Sequence, residues 1–305
     1  MDKVDITPAV AGRLVASQFP QWADLQVMPV GLDGWDNTTY RLGDELTVRL
    51  PSASAYEAQV EKEHRWLPVM AHHLPLRIPE PVAIGQPGEG FPWRWSIYRW
   101  IEGETASVDR IASLTKFASG LAAFLGALYS IDARGGPPPG THNFFRGGAV
   151  GTYDTQTRHS IRLLADELNA GAAIEVWDAA LASTWDRAPV WLHGDVTGSN
   201  LLVADGELRA VIDFGCVAVG DPACDLAIAW TFFTDESRDV FRRSLALDEA
   251  TWARGRGWAL WKALITLVQE QPGNADTESA AQRFGWRTNP RGVIDLVLAD
   301  HSRSI

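Results

Sequence analysis

The chain has 305 residues, 46% of them hydrophobic and 21% charged, which is typical of an ordinary globular protein with enough residues for two lobes. Its formal net charge of −11 makes it a poor partner for nucleic acid or an anionic membrane, although an acidic surface could attract a cationic substrate or simply aid solubility. No apolar signal segment opens the sequence, no run approaches a membrane span, and Cys216 and Cys224 fit neither a disulfide framework nor a zinc site, so we expect a cytoplasmic protein.

The first hundred residues predict an antiparallel sheet with one long helix. A short amphipathic helix begins at Thr7-Pro8, and the long helix is predicted over 55–67, ending before Pro68. Strands are predicted at 27–30, 38–42, 46–50, 82–85 and 92–100. The loop with Gly31 and Gly34 could close over phosphates, but it lacks both glycine-rich phosphate signatures and is more often an ordinary hairpin.

Arg49 lies on the predicted third strand, within Val48-Arg49-Leu50. The predicted helix that follows carries three acids that could pair with it, Glu57, Glu61 and Glu63. The alternative is a surface arginine on an edge strand.

Beyond residue 102, helical periodicity dominates the sequence. Helices are predicted at 114–128, 154–169, 172–185, 226–233, 236–245, 249–270, 276–284 and 290–300. The glycine- and proline-rich segment 135–140 cannot be helical. Asp221 precedes Pro222 and is a plausible N-cap for the helix after it.

One stretch of this region carries a set of polar residues at fixed spacing. It contains His193-Gly194-Asp195, then Asn200, then Asp213-Phe214-Gly215, and the turn Asp205-Gly206 joins two apolar runs as a hairpin. Phosphoryl transfer needs one carboxylate to accept a hydroxyl proton, and oxygen ligands to hold Mg²⁺ against the phosphates. Asp195 is the candidate base, and Asn200 and Asp213 are the candidate metal ligands. The alternative is a β-hairpin with capping aspartates.

The order H-x-D-x-x-x-x-N followed by D-F-G is the catalytic set of protein kinases, with Gly194 where those enzymes have Arg. Together with Gly220-Asp221-Pro222 and Asp225-Leu226-Ala227, this form resembles the aminoglycoside phosphotransferase family of small-molecule kinases. The resemblance implies a bilobal, protein-kinase-like α+β fold. Residues 1–101 would form a nucleotide-binding N-lobe with an antiparallel sheet plus helix. Residues 102–305 would form a mainly helical C-lobe with a catalytic β-hairpin, and MgATP or MgGTP would bind between the lobes.

The resemblance also implies roles for individual residues. Arg49 stands where kinases carry the lysine that grips the α- and β-phosphates, and Glu63 is its implied partner. Macrolide kinases are among the relatives with Arg at this position. The Arg99 carbonyl and the Ile101 amide would bind the purine, with Tyr98 behind the base. The residues implied to support the catalytic loop are His193, Asp221 and Asp225.

The expected activity is transfer of the γ-phosphate of ATP or GTP to a hydroxyl of a small molecule, a reaction of the EC 2.7.1 type. The first candidate acceptor is an aminoglycoside-type antibiotic, and the alternatives are a macrolide or another hydroxylated metabolite. Asp235, Glu236 and Glu270 could contact a cationic acceptor, although solvation of helix surfaces explains them equally well. A nucleotide-binding pseudokinase is the alternative of another class, and the chain would be a monomer or dimer.

Overall fold

The structure is a computed structural model that describes residues 6–31, 36–271 and 279–304. It forms two compact units. The first unit runs up to Glu102 and also takes in Asp213–Gly215, and the second comprises Gly103–Ile212 and the chain from Cys216 onward. The fold is α+β, with an antiparallel sheet in the first unit and mainly helices in the second, as the sequence predicts.

The first unit is built on a five-stranded antiparallel sheet with the strand order β1-β2-β3-β5-β4. Its strands are β1 (Val27–Pro29), β2 (Asn37–Leu42), β3 (Leu46–Pro51), β4 (Pro81–Gly85) and β5 (Trp95–Arg99), and its helices are α1 (Pro8–Gln18) and α2 (Glu57–Ala71). Apolar residues from α1 and the sheet form one core, which includes Leu14, Val48 and Ile97.

Arg49 lies in the middle of this sheet. Strand β3 pairs with β2 on one side and with β5 on the other, and Arg49 is in register with Thr39 and Ser96. The prediction of a strand here is confirmed, whereas the alternative of an edge strand is wrong.

Two boundaries in the first unit differ from the prediction. Helix α2 does not end before Pro68 but runs through it to Ala71. Leu67 and Met70 are buried, and the packing of this last turn explains the extension. It compensates for the helical hydrogen bond that is lost because the nitrogen of Pro68 has no hydrogen to donate. Strand β5 begins at Trp95 rather than Pro92, because Gly88 and Phe91 pair in a tight turn just before it.

The second unit contains two small sheets. Strands β6 (Glu104–Thr105), β8 (Leu201–Ala204) and β9 (Glu207–Val211) form one antiparallel sheet, and β7 (Val190–Leu192) pairs with β10 (Ala218–Gly220) in the other. The predicted β8–β9 hairpin is confirmed: Asp205 and Gly206 have φ values of 54° and 77°, as its two-residue turn requires.

Helices make up most of the remaining second unit. They are α3 (Leu114–Tyr129), α4 (Asp154–Leu163), α5 (Ala170–Leu181), α6 (Ile228–Thr231), α7 (Asp235–Leu245), α8 (Glu249–Gln269), α9 (Ala280–Phe284) and α10 (Pro290–Ser304). Helix α8 packs against α5 and α10 and against the segment Pro222–Ala227. Within the described ranges, the structure has no helix with the length and hydrophobicity that crossing a bilayer requires.

The predicted helices differ from the observed ones mainly at their ends. Helix α4 stops at Leu163 rather than at 169, because the side chain of Asn169 accepts from Ala172 N and caps α5 instead. The helix predicted over 226–233 is a 3₁₀ segment, Pro222–Ala227, followed by the short α6. The prediction over 276–284 falls partly on 276–278, outside the described residues.

Candidate active site

The loop after β7 carries Asp195, and the buried side chain of Asp225 anchors its backbone. The carboxylate of Asp225 accepts hydrogen bonds from the backbone N–H groups of His193, at 3.0 Å, and Gly194, at 2.7 Å. Asp225 is fully buried, and burial raises its pKa, while the nearby His193 and these two donors oppose the rise. Two charge-assisted hydrogen bonds to adjacent amides fix the path of the loop just before Asp195.

Gly194 occupies a backbone conformation that a larger residue could not adopt here. Its φ is +87°, and a Cβ atom at this position would lie 2.6 Å from the carbonyl oxygen of Cys216. Because both the dihedral angle and the close approach exclude a side chain, the glycine in place of the kinase Arg has a local steric reason.

His193 is fully buried and orients the loop through both ring nitrogens. Its Nδ1 accepts from the backbone N–H of Asp195 at 3.2 Å, and its Nε2 lies 3.0 Å from the carbonyl oxygen of Ile212. A backbone N–H can only donate, so the ring proton in this arrangement belongs on Nε2. With both nitrogens engaged, His193 is placed to position the loop rather than to accept a substrate proton.

Asn200 is tied to Asp195 by its amide nitrogen. Nδ2 of Asn200 donates to the carbonyl oxygen of Asp195 at 2.9 Å and to its Oδ2 at 3.3 Å. This orientation leaves the amide oxygen as the atom available to a ligand. A carbonyl-type oxygen next to a carboxylate suits a hard cation such as Mg²⁺.

Lys262, on α8, contacts the Asp195 carboxylate directly. Its Nζ lies 2.8 Å from Oδ1 of Asp195, and the two side chains are 15% and 30% exposed. Burial would raise the pKa of Asp195, but the charges of Lys262 and Arg146 together hold it below the ordinary aspartate value. The carboxylate is therefore ionised at neutral pH, as a proton acceptor must be.

The first unit contains a second charged cluster, centred on Arg49. Its Nη2 lies 2.9 Å from Oδ1 of Asp213 and its Nη1 lies 3.5 Å from Oε2 of Glu63. Burial alone would lower the pKa of Arg49, but Asp213 and Glu63 hold it above its ordinary value. The hydroxyl of Tyr98 donates to Oε2 of Glu63, and burial raises the pKa of that tyrosine. Arg49 thus bridges two carboxylates in a fixed geometry.

Glu63 is the buried member of this cluster, with a side chain only 3% exposed. Burial raises its pKa, and the charge of Arg49 opposes the rise only in part. One of its carboxylate oxygens, Oε1, is buried without a hydrogen-bond partner. Of the three acids weighed on α2, Glu63 is the one next to Arg49, whereas Glu57 and Glu61 pair with Arg94.

Asp213 itself has a left-handed backbone, with φ of 63°. Its Oδ1 is held by Arg49, which leaves Oδ2 as the oxygen available to a cation. Two residues later, the carbonyl oxygen of Gly215 accepts a hydrogen bond of 2.6 Å from Nζ of Lys62. The turn that presents Asp213 is therefore attached to α2 within the first unit.

The other predicted site residues lie as follows. Asp221 caps the 3₁₀ segment by accepting from Ala223 N at 3.1 Å, and it also accepts from Nε of Arg254 at 2.7 Å. Arg99 ends β5 with a half-exposed side chain, and Ile101 follows two residues later. Gly31 is exposed with open space around it, and Gly34 lies outside the described residues.

The acids considered for a cationic acceptor do not line the cavity beside Asp195. This cavity is lined by residues of the second unit, and Asp235, Glu236 and Glu270 are not among them. Asp235 instead pairs with Arg238 at 3.3 Å near the start of α7.

Sequence reasoning missed Lys262 and Arg146. Both residues line the cavity, and Lys262 lies 67 positions from Asp195 in the chain. Neither belongs to a recognisable motif. The one available signal was that Lys262 interrupts an apolar helix, which also describes many surface lysines.

A model of the phosphotransferase enzyme family (APH) matches residues 28–258. No curated protein sequence matches at a significant level. The GDP and kanamycin complex of APH(2")-IIia is similar over 97% of this chain and 99% of that chain, with a TM-score of 0.68 and 17% identity.

Two further solved structures are similar to the chain. The streptomycin-ATP-APH(2")-IIa ternary complex is similar over 97% of this chain and 97% of that chain, with a TM-score of 0.58 and 19% identity. The apoenzyme of macrolide 2'-phosphotransferase MphH from Brachybacterium faecium is similar over 94% of this chain and 97% of that chain, with a TM-score of 0.60 and 19% identity. At these identities, the likeness is one of fold.

Proposed function

The chain belongs to the phosphotransferase enzyme family, and we propose that it transfers the γ-phosphoryl group of ATP or GTP to a hydroxyl group of a small molecule. The observation that carries this proposal is the fixed, ionised carboxylate of Asp195. It sits on a loop whose amides are held by Asp225, and its charge is maintained by Lys262. Phosphoryl transfer to a hydroxyl requires an ionised base that is held in a fixed position.

Asp195 is assigned the role of the base. The acceptor hydroxyl donates its proton to the carboxylate while its oxygen bonds to the γ-phosphorus. The bond from that phosphorus to the bridging oxygen breaks, and the nucleoside diphosphate leaves with the electron pair. Oδ2 carries only the longer contact to Asn200, at 3.3 Å, so we assign proton acceptance to this oxygen.

Asn200 and Asp213 are the residues that would hold Mg²⁺. Nδ2 of Asn200 is hydrogen-bonded to Asp195, which leaves Oδ1 of Asn200 for the cation. Oδ1 of Asp213 is hydrogen-bonded to Arg49, which leaves Oδ2 of Asp213. Oxygen ligands of this kind fit Mg²⁺, which when bound offsets the negative charge of the phosphates.

Arg49 is the proposed phosphate-binding residue, with Glu63 keeping its side chain in place. The backbone carbonyl of Arg99 and the amide of Ile101 are proposed to bind the purine. A nucleotide co-substrate is supported by the GDP and ATP complexes among the similar structures. We propose a cytoplasmic location, in which the buried Cys216 and Cys224 would remain free thiols.

The similar structures include aminoglycoside and macrolide phosphotransferases, so an aminoglycoside and a macrolide are both candidate acceptors by likeness of fold, and modification of either would make this a resistance enzyme. Another hydroxylated metabolite is the further alternative, since a fold does not determine a substrate. The test is transfer of labelled γ-phosphate from ATP and from GTP to kanamycin, a macrolide and simple hydroxy compounds. Transfer to any of them supports a kinase, whereas nucleotide binding without transfer to any supports a pseudokinase.

A further inference from the structure

The cavity beside Asp195 contains positive charge and aromatic rings. It is lined by Arg146, Lys262, Trp258 and Trp261 together with Asp195 and its loop neighbours. If Asp195 is the base, as proposed above, the acceptor hydroxyl would lie beside its carboxylate, at this cavity. Its chemistry therefore bears on the class of the acceptor.

Arg146 lies against the aromatic wall of the cavity and has one buried N–H group without a partner. Its guanidinium carbon lies 5.2 Å from the ring centre of Trp258 and 4.8 Å from that of Trp261, so its planar group is held against both rings. Its Nη1 is buried without a hydrogen-bond partner, and Nε1 of Trp258 is likewise buried and unpartnered. Among the described residues, no carboxylate forms an ion pair with Arg146. Buried donors without partners favour a ligand with acceptor oxygens.

The balance of charge in the cavity is positive. Asp195 is the acidic side chain that lines it, and Lys262 offsets that charge at 2.8 Å. Because Arg146 also acts on this carboxylate, two positive side chains share one negative side chain, and the cavity lining has an excess of positive charge. A further ammonium group would be repelled here, whereas one negative charge would complete the balance.

The remaining walls suit a carbon skeleton. The ring of Trp261 stacks on Tyr153 at 4.1 Å between centres, and Trp258 meets Trp261 edge-on at 5.6 Å. These rigid faces can pack against apolar carbons next to the polar groups.

We propose that the acceptor is a hydroxy acid, with a carboxylate bound by Arg146 close to the hydroxyl that Asp195 deprotonates, rather than a polycationic aminoglycoside. Arg146 presents the flat, forked donor geometry that a carboxylate accepts. The Lys262 ammonium uses one N–H on Asp195 and has two more, which can reach the oxygens of the acceptor. The proposal rests on the assignment of Asp195 as base and goes beyond it by naming the class of acceptor.

The test uses two sets of probes whose members share a skeleton and differ in charge. One set is glycerate, glycerol and serinol, and the other is 3-phenyllactate, 3-phenylpropane-1,2-diol and phenylalaninol. Affinity for the full-length protein with nucleotide and Mg²⁺ is measured by calorimetry, and phosphoryl transfer to each probe is measured in parallel. We expect the carboxylate member of at least one set to bind about 10-fold or more tightly than its neutral counterpart, and the amine to bind weakest.

Variants test which residues produce that preference. Arg146→Gln should weaken carboxylate binding about 10- to 100-fold, the contribution of one charge-assisted hydrogen bond, and Arg146→Lys should recover part of it. Lys116→Gln removes the same charge from an exposed position on α3 and should leave affinity unchanged. Circular dichroism establishes that the variants are folded.

The outcomes separate this inference from the proposed function. Failure of both carboxylates to bind, tighter binding of an amine, or a carboxylate preference that survives in Arg146→Gln overturns the hydroxy-acid assignment. Transfer to an amino alcohol or to kanamycin in preference to the hydroxy acids also overturns it, while leaving the kinase assignment standing. Carboxylate binding that depends on Arg146, without transfer to any probe from ATP or GTP, supports the anion site and contradicts the kinase.

Discussion

The ammonium nitrogen of Lys262 lies 2.8 Å from the carboxylate of Asp195, although 67 positions separate the two residues in the chain. Helix α8 brings them together because it packs closely within the second unit: a Cβ on Gly257 would lie only 2.5 Å from that of Ala180 on α5. The pair keeps the candidate base ionised in a site where burial alone would favour its protonated form.

Replacing Lys262 with Met should change the pH dependence of the reaction. The positive charges hold the pKa of Asp195 below its ordinary value, against the effect of burial. Without Lys262 the pKa of Asp195 rises, so the base becomes protonated at a higher pH. The acidic limb of the profile of single-turnover rate against pH therefore moves to higher pH. Lys262→Arg keeps the charge and should leave the limb nearer to its wild-type position. Superimposable profiles for wild type and Lys262→Met would contradict this role.

Glu63→Gln should alter how stability depends on pH. The pKa of Glu63 is raised in the folded protein, so its contribution to stability is complete below its unfolded pKa of about 4.3 and is lost as pH rises through the folded value. The stability of wild type relative to Glu63→Gln should therefore fall as pH rises from about 4 toward neutrality. Urea unfolding of both proteins at several pH values measures this difference in stability. The titration of all other groups is common to both proteins and cancels in the difference. A difference independent of pH would show that Glu63 titrates normally.

Asp225→Ala should destabilise the protein by about 2–5 kcal/mol, because it leaves two buried backbone N–H groups, of His193 and Gly194, without an acceptor. Asp225→Asn keeps one acceptor oxygen and should cost less. Denaturant unfolding gives both values. Turnover should fall in each variant, since the loop that carries Asp195 loses its anchor. A stability change below about 0.5 kcal/mol in Asp225→Ala would mean that these amides find water or another acceptor.

Asp213→Ala should abolish nucleotide-dependent turnover and leave the protein folded. Its side chain is 30% exposed, so removal creates no buried cavity, and the variant loses a metal ligand and one partner of Arg49. The measurement is turnover and nucleotide affinity as a function of Mg²⁺ concentration. Asp213→Asn is the matched variant, because asparagine tolerates the left-handed backbone at φ of 63°. Turnover near that of wild type in Asp213→Ala would rule out the metal assignment.

The sequence predicted most helices and strands correctly, because amphipathic periods and turn residues such as Asp205-Gly206 are local signals. The protein-kinase-like arrangement of these elements came instead from the family resemblance of the motifs, and the similar structures bear it out. It also led to Asp195, Asn200 and Asp213, since a motif of fixed spacing needs no tertiary information. Their roles stay predictions. Pro68 misled the prediction of a helix end, because the buried Met70 beyond it could be identified only from tertiary packing.

Lys262 and Arg146 could not have been predicted in the same way. Each reaches the cavity beside Asp195 through the packing of an element distant in sequence, and no local pattern records that approach. The acidic net charge of −11 was compatible with a cationic acceptor as well as with a merely soluble surface, and it averages over the whole chain. The lining of the cavity contains more positive than negative side chains, so its local charge differs in sign from the net charge of the chain.

The role of Asp195 as the base is tested by single-turnover phosphoryl transfer in Asp195→Asn, with nucleotide affinity measured in the same preparation. Asparagine keeps the size of the side chain but cannot accept the proton, so we expect transfer to fall about 10²–10⁴-fold with nucleotide affinity nearly unchanged. Asp205→Asn, in the exposed turn of the β8–β9 hairpin, is the matched control and should transfer at the wild-type rate. A wild-type rate in Asp195→Asn, with an acceptor that the wild-type enzyme phosphorylates, would contradict the assignment of Asp195 as the base.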